Sequence, residues 1–161
     1  MNNMEAKKMI NEKDLEIISH LREDGRKTLT NMSRELKMPI STIFDRMRKF
    51  DGKIMRRYVG LIDFQSLGYN ARAQVMIKSI KSRKNELLEF LMKHENVNSV
   101  FKINNGFDFM IDIIFRNVRD LEEFIEKLDE KYRVKTKISY YIIDELKKEE
   151  FLSNKNMIKS I

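Results

Sequence analysis

Apolar side chains in the first 55 residues recur at helical spacing, as shown by Leu15, Ile18 and Leu21. The spacing predicts three helices, at about 12–24, 29–36 and 39–50. We expect Thr28 to cap the second helix. Pro39, the only proline, is expected in the first turn of the third, where its missing N–H costs nothing. Three short helices with a tight turn between the last two are typical of a helix-turn-helix.

Near residue 53 the pattern changes from helical spacing to alternation, which predicts strands with one buried face. The expected elements are a strand at 71–78, a helix at 83–94, strands at 97–103 and 107–115, a helix at 118–130 and a strand at 136–143. This βαββαβ order predicts a ferredoxin-like domain, with both helices on one face of an antiparallel sheet. The predicted fold class is therefore α+β, with an N-terminal helix-turn-helix domain of winged-helix-like type.

The change of pattern also sets the expected domain boundaries. They are a helix-turn-helix domain at 1–58, a linker at 59–70, a ferredoxin-like domain at 71–150 and a tail at 151–161. The segment Lys53–Ile62 is interpreted as a wing or linking hairpin interrupted at Gly60. The tail is polar and is expected to be frayed.

Both faces of the predicted sheet carry apolar side chains. The strand at 107–115 places five large apolar residues on one face and still has Met110 and Ile114 on the other. The last strand likewise has Ile138 and Tyr140 opposite Tyr141. One helical layer covers only one face, so we expect a second subunit on the other, as a homodimer or a higher homo-oligomer.

Composition excludes several classes of protein. The 161 residues contain no cysteine and only two histidines, which excludes disulfides, thiolate metal sites and a multi-histidine metal cage. We therefore expect no metal and no cofactor. No apolar run approaches the roughly 20 residues of a membrane helix, and the first residues resemble no secretion signal. The expected location is cytoplasmic, with no membrane partner.

Positive charge is concentrated around the third predicted helix. The formal net charge is +7, and residues 40–58 contain six basic and two acidic side chains. A helix that enters the major groove of double-stranded DNA presents short polar or basic side chains outward. The predicted DNA-binding residues are Ser41, Thr42 and Asp45, toward base edges, and Arg46, Arg48, Lys49, Arg56 and Arg57, toward phosphates. A contact from Arg48 to guanine is an alternative, and a merely solvated helix face is another.

These residues resemble a known family, the Lrp/AsnC (feast/famine) transcription regulators, over about residues 12–145. The matching positions are Asp14, then Leu21 with Asp24, Gly25 and Arg26, then Arg46 with Phe50, then Tyr58, and finally Leu67 with Gly68. Lys37 stands where the family often has glycine in the helix-turn-helix turn. The resemblance implies a DNA-binding domain followed by a ferredoxin-like domain that forms dimers through its sheet.

The resemblance also implies a small amino-acid effector near a glycine- and aspartate-containing hairpin. Asn104, Asn105 and Gly106 supply the turn, because Asn and Gly accept positive φ. The effector-binding residues implied by the resemblance are Gly106, Asp108, Thr136 and Ser139. A carboxylate at Asp108 is suited to an ammonium group, and ordinary hairpin chemistry is the alternative.

Two other functions share this architecture. An architectural DNA-binding protein would bind DNA without an effector and without strong site preference. Sirohaem decarboxylases resemble these regulators but carry His, Tyr and Arg residues around the second and third strands, where this chain reads VNSVFKINNGFDFMIDI. The prediction is a site-specific regulator and not an enzyme.

Overall fold

The structure is a computed structural model that describes residues 10–154. The chain divides into two compact units. Of the described residues, the N-terminal unit comprises 10–61 and 146–154, and the C-terminal unit comprises Ile62–Glu145. Each unit has its own cluster of buried apolar side chains.

Three helices form the N-terminal unit. They are α1 (Glu12–Glu23), α2 (Leu29–Leu36) and α3 (Ile40–Phe50). Asn11 and Asp14 form a reciprocal cap, in which each backbone N–H donates to the other side chain at 2.9–3.0 Å. Thr28 Oγ1 accepts the Asn31 N–H at 3.2 Å, so the predicted cap of α2 is confirmed. Seven buried residues form the core: Ile17, Ile18, Leu21, Met32, Met38, Ile43 and Phe50.

The turn between α2 and α3 depends on two residues. Lys37 has φ of 51°, the left-handed conformation that the family usually gives to glycine. Pro39 is the N-cap of α3 and so lies just before the first helical turn, where the prediction placed it within that turn. Its carbonyl accepts the Ile43 N–H at 3.1 Å. A proline at this position requires no backbone donor, so α3 begins abruptly at Ile40.

The segment after α3 differs from the prediction. A tight turn at Asp51–Met55, with Gly52 at φ of 70°, is closed by one isolated bridge. Residues 56–63 contain neither helix nor strand. Interpreting Lys53–Ile62 as a hairpin is therefore wrong, because its apolar residues lack the regular alternation of two paired strands.

The C-terminal unit is a four-stranded antiparallel sheet in the order β2-β3-β1-β4. Its elements are β1 (Ala71–Lys78), α4 (Lys84–Lys93), β2 (Val97–Lys102), β3 (Phe109–Phe115), α5 (Val118–Tyr132) and β4 (Thr136–Tyr141). This order and the helical layer are those of the predicted ferredoxin-like arrangement. The core lies between sheet and helices and includes Val75, Ile77, Leu87, Ile111, Ile113, Leu121 and Ile125.

Two strand boundaries were predicted too generously. β3 begins at Phe109 rather than residue 107, since Asn105 and Gly106 adopt φ of 57° and 89° and the loop runs on through Asp108. β4 ends at Tyr141 rather than residue 143. The alternation of apolar residues extends beyond the paired residues before β3 and after β4. Hydrophobicity alone therefore does not mark where strand pairing begins or ends.

The chain after residue 145 belongs to the N-terminal unit. Arg22 Nε donates to the Phe151 carbonyl at 3.0 Å, and Arg22 Nη2 donates to the Glu149 carbonyl at 2.6 Å. Arg22 also forms an ion pair with the Glu149 carboxylate at 2.9 Å. These contacts tie the described part of the predicted tail to α1. Residues 155–161 of that tail lie outside the described residues.

Candidate nucleic-acid interface and ligand site

The outward face of α3 carries most of the predicted DNA-binding residues. Ile43 and Phe50 are buried against the core, which turns the opposite side of the helix to solvent. Ser41, Asp45, Arg48 and Lys49 are exposed and Thr42 is half-buried. None of the basic side chains on this exposed face forms an ion pair within the part of the chain that the structure describes. The face therefore has a net positive charge, with Arg48 and Lys49 against Asp45.

Arg46 is placed differently from its neighbours. Its Nη1 lies 2.5 Å from Asp14 Oδ1 and 3.1 Å from Asn11 Oδ1, at the start of α1. Asp14 is only 4% exposed. The guanidinium thus holds α3 to the capped end of α1. Its geometry is that of a positioning residue.

Arg56 and Arg57 follow the turn at Asp51–Met55 and are exposed. They extend the basic surface of the N-terminal unit beyond the end of α3. Like the basic residues of α3, they form no ion pair with another described residue. The fold brings Ser41, Arg48 and Lys49 onto one helix face, and it leaves these two arginines on irregular backbone.

The predicted ligand site lies where the β2–β3 hairpin meets the end of β1. Asp108 is 9% exposed and its backbone N–H donates to the Ile77 carbonyl at 2.9 Å. Its Oδ2 accepts the Ser79 N–H at 3.1 Å, and its Oδ1 lies 2.5 Å from Lys84 Nζ. The hydrogen bond from Lys84 holds the pKa of the Asp108 carboxyl below its usual value, against the opposing effect of burial. Lys84 therefore already supplies the ammonium partner that this carboxylate prefers.

The two β4 residues of the predicted site are not brought together. Thr136 pairs with Lys78 at the hairpin end of the sheet and is exposed. Ser139 pairs with Val75, whose side chain is buried in the core. Residues three apart on a strand point to opposite faces, so Ser139 faces the helical layer while Thr136 faces away from it. Only Thr136 shares a sheet end with Gly106 and Asp108.

The sheet face opposite the helices has a charged centre that the sequence pattern did not predict. Arg72 donates from Nε and Nη2 to the two carboxylate oxygens of Asp112, at 2.8 and 3.0 Å. Asn98 donates to Asp112 at 2.7 Å, and Glu145 also accepts from Arg72. The hydrogen bonds that Arg72 donates to Asp112 raise the pKa of its guanidinium. A lone aspartate in the apolar run FMIDIIF was the available signal.

Apolar side chains surround this charged centre. We call this surface the open sheet face. It comprises Arg72, Gln74, Met76, Met110, Asp112, Ile114, Ile138 and Tyr140, which are neighbours across the strands. Tyr140 is 55% and Ile138 37% exposed. An exposed apolar surface of this kind on a sheet is typical of a protein interface.

Residues 10–154 contain no group of three or more His, Asp or Glu side chains placed to hold a metal ion. No helix among them is long and apolar enough to span a bilayer.

Comparison with known proteins covers both units. A sequence model described as winged helix-turn-helix DNA-binding matches residues 10–51, and one described as Lrp/AsnC ligand binding domain matches residues 72–151. An HTH-type transcriptional regulator of Pyrococcus furiosus is 31% identical over 127 residues, which span 76% of this chain and 82% of the relative. The HTH-type transcriptional regulator FL11 of Pyrococcus abyssi is 26% identical over 118 residues, spanning 73% and 78%.

Solved structures share the fold over most of the chain. A transcriptional regulator of Neisseria meningitidis, solved as its L-methionine complex, superposes with a TM-score of 0.79 at 20% identity, covering 86% of this chain and 93% of that one. LrpC of Bacillus subtilis gives 0.78 at 19% identity, covering 86% and 97%. The two sequence models and the 31% identical relative together show that this chain is a transcriptional regulator of the Lrp/AsnC family.

Proposed function

We propose that this regulator binds specific double-stranded DNA sites by placing α3 in the major groove, and that it does so as a homodimer or higher homo-oligomer. The observation that carries the proposal is the outward face of α3. Its exposed small, polar and basic side chains follow a sharply defined turn, and two further exposed arginines extend the basic surface. A helix-turn-helix presents its second helix to the groove in this way.

The positions along α3 suggest separate roles. Ser41, Thr42 and Asp45 lie toward the N-terminal end of the helix, from which base edges are usually reached. Arg48 and Lys49, with Arg56 and Arg57 beyond the helix, are suited to phosphates. We assign Arg46 to positioning α3, because its guanidinium is engaged by Asp14 and Asn11.

DNA binding is tested with the duplex upstream of the protein's own gene against a scrambled duplex of equal length, at low and near-physiological salt. We expect the natural duplex to bind more tightly at both salt concentrations. The variant Arg48→Ala/Lys49→Ala removes two phosphate contacts from each copy, so the slope of log affinity against log salt should become shallower by about 2 for each copy that contacts the DNA. Fluorescence anisotropy measures both quantities.

A matched control is Arg119→Ala/Lys127→Ala, which removes an exposed arginine and lysine from the outer side of α5. It should leave the salt slope unchanged. Equal, salt-sensitive binding to both duplexes would instead support the architectural alternative. An unchanged slope in the α3 variant would remove this helix from the proposed contact surface.

We propose that a second copy of the chain covers the open sheet face. The exposed apolar side chains of Ile138 and Tyr140 lie on the same face as the Arg72–Asp112 ion pair, in which the two charges neutralise each other. Such a surface is suited to a protein partner. A two-fold arrangement would place the same face of both copies in contact. The charge pair would then be buried with its hydrogen bonds already made, which limits the cost of removing it from water.

We also propose that a small amino acid modulates the regulator at the hairpin end of the sheet. Support comes from the matched ligand binding domain and from the neisserial relative that was solved with L-methionine. Gly106, at φ of 89°, presents open backbone there. In this chain an incoming ammonium group must compete with Lys84 for Asp108.

This competition gives a direct test by thermal shift with each of the twenty amino acids. Replacing Lys84 with methionine removes the nearer of the two ammonium groups beside Asp108 and leaves Lys78 Nζ at 3.6 Å. A stabilising amino acid should therefore bind about tenfold more tightly to the variant than to the wild type. Asp108→Asn should abolish the shift. Loss of the shift in Lys84→Met, or its persistence in Asp108→Asn, would contradict the assigned site.

A further inference from the structure

Two large apolar side chains on α3 contribute little to the core of the N-terminal unit. Phe44 is 49% exposed and Ile40 is 45% exposed. They lie four residues apart, so they are neighbours on the helix surface. The buried cluster of this unit uses Ile43 and Phe50 from the same helix and includes neither of the exposed pair. Folding of the unit therefore does not account for a phenylalanine at residue 44.

Helical geometry places Phe44 beside the residues assigned to base edges. At about 100° of rotation per residue, Phe44 lies about 40° from Arg48 and about 60° from Ser41 around the helix axis. Ile40 lies about 40° beyond Phe44 on the same flank. A groove that receives Ser41 and Arg48 would therefore also receive the phenyl ring of Phe44, with Ile40 behind it.

The surroundings of this apolar pair favour nucleic acid over a protein partner. Arg48 and Lys49 are exposed on the same helix, and Arg56 and Arg57 follow it, with no ion pair to another described residue. The cores of protein interfaces are depleted of charged residues, and here the apolar side chains lie among four cations that form no ion pair with another described residue. This charge is complementary to a phosphate backbone.

DNA offers one apolar group to a side chain in the major groove, the C5 methyl of thymine. We propose that Phe44, backed by Ile40, contacts a thymine methyl and so sets a preference for a T·A pair at one position of each half-site. The inference rests on the proposed insertion of α3 into the major groove. The inference adds an apolar contact to a DNA-binding surface whose other predicted residues are all polar or charged.

The test removes single methyl groups from the DNA. A preferred duplex is first selected from a randomised library, and its thymines are then replaced one at a time by deoxyuridine, which keeps every hydrogen-bonding group. One position in each half-site should weaken wild-type binding by about fourfold, the equivalent of one buried methyl group. The Phe44→Ala variant should bind thymine and deoxyuridine duplexes equally at that position.

Two controls separate a contact from a general defect. Phe44→Ala should unfold at the wild-type temperature, because the side chain is half exposed. Met92→Ala removes a 68% exposed apolar side chain from α4 in the C-terminal unit and should retain the full deoxyuridine effect. Phe44→Leu, which keeps an apolar side chain, should retain part of it.

The outcomes distinguish the inference from the function on which it rests. If the library yields no preferred duplex, site-specific binding fails and the inference fails with it. If a preferred duplex is found but no deoxyuridine substitution weakens wild-type binding, only the inference is overturned. The same holds if Phe44→Ala retains the wild-type sensitivity to deoxyuridine at every position.

Discussion

The outward face of α3 and the open sheet face both expose arginine, but the two arginines are in opposite electrostatic situations. Arg48 forms no ion pair with another described residue, so its charge reaches into solvent. Arg72 donates to both oxygens of a carboxylate that is 4% exposed, so its charge is neutralised where it stands. The comparison shows that the kind of partner a surface binds depends on whether its charges are already in ion pairs, more than on the sign of those charges.

The apolar side chains of the two surfaces differ in the same way. On the sheet they surround the neutral Arg72–Asp112 pair and form one broad patch with Ile138 and Tyr140. On α3 only Ile40 and Phe44 are exposed, among free cations. A broad apolar patch with a satisfied centre suits a second protein chain, whereas a narrow one within a basic surface suits a groove lined by phosphates.

The largest expected effect comes from adding charge to the open sheet face. In Ile138→Glu/Tyr140→Glu two carboxylates enter the proposed contact between copies, where they would be buried without partners. We expect the dimer dissociation constant to rise by about 100-fold or more. Sedimentation velocity over a range of protein concentrations measures it.

The control for this prediction is Met92→Glu, which adds a carboxylate at an exposed apolar position of α4, in the helical layer. Its dissociation constant should match the wild type. An unchanged oligomer in Ile138→Glu/Tyr140→Glu would show that the copies contact each other elsewhere. The open sheet face would then not be the protein interface in this comparison.

A smaller effect is expected within the N-terminal unit. Replacing Arg46 with methionine leaves the buried Asp14 carboxylate without its guanidinium, although the Asn11 N–H still donates to it at 2.9 Å. We expect the free energy of unfolding to fall by about 2 kcal/mol. The slope of log DNA affinity against log salt should stay at the wild-type value. Urea denaturation and anisotropy titrations measure the two quantities.

Arg48→Ala is the matched variant, since it removes an exposed arginine from the same helix. It should leave stability near the wild-type value and make the salt slope shallower by about 1 for each copy that contacts the DNA. If Arg46→Met instead changes the salt slope and not the stability, Arg46 contacts phosphate, and our assignment of it as a positioning residue is wrong.

Local signals predicted most of the fold. Thr28 and Pro39 mark the starts of α2 and α3 through caps that involve only their near neighbours. Asn105 and Gly106 mark the hairpin, because both adopt positive φ. The errors lie where alternation continues without pairing, as at the start of β3 and the end of β4, and at Lys53–Ile62, which was interpreted as a hairpin without regular alternation. Whether a backbone amide finds a strand partner depends on distant residues, which periodicity does not contain.

The candidate sites were predicted less completely than the fold. The exposed residues of α3 could be predicted from its helical period, because the residues opposite the buried side of a surface helix face solvent. Phe44 was omitted, since an apolar residue in a helix is ordinarily counted with the core. The family resemblance implies Ser139 together with Thr136, whereas strand alternation places the two side chains on opposite faces.

The sequence by itself determined the order of helices and strands, the capped turn before α3 and the excess of positive charge around it, because each depends on residues within a few positions of one another. Only the tertiary structure decided which charges are paired. Arg46 meets Asp14 across 32 residues, Lys84 meets Asp108 across 24, and Arg72 meets Asp112 across 40. An ion pair forms wherever the packed backbone brings two side chains together, so the same residue types are free on α3 and satisfied on the sheet.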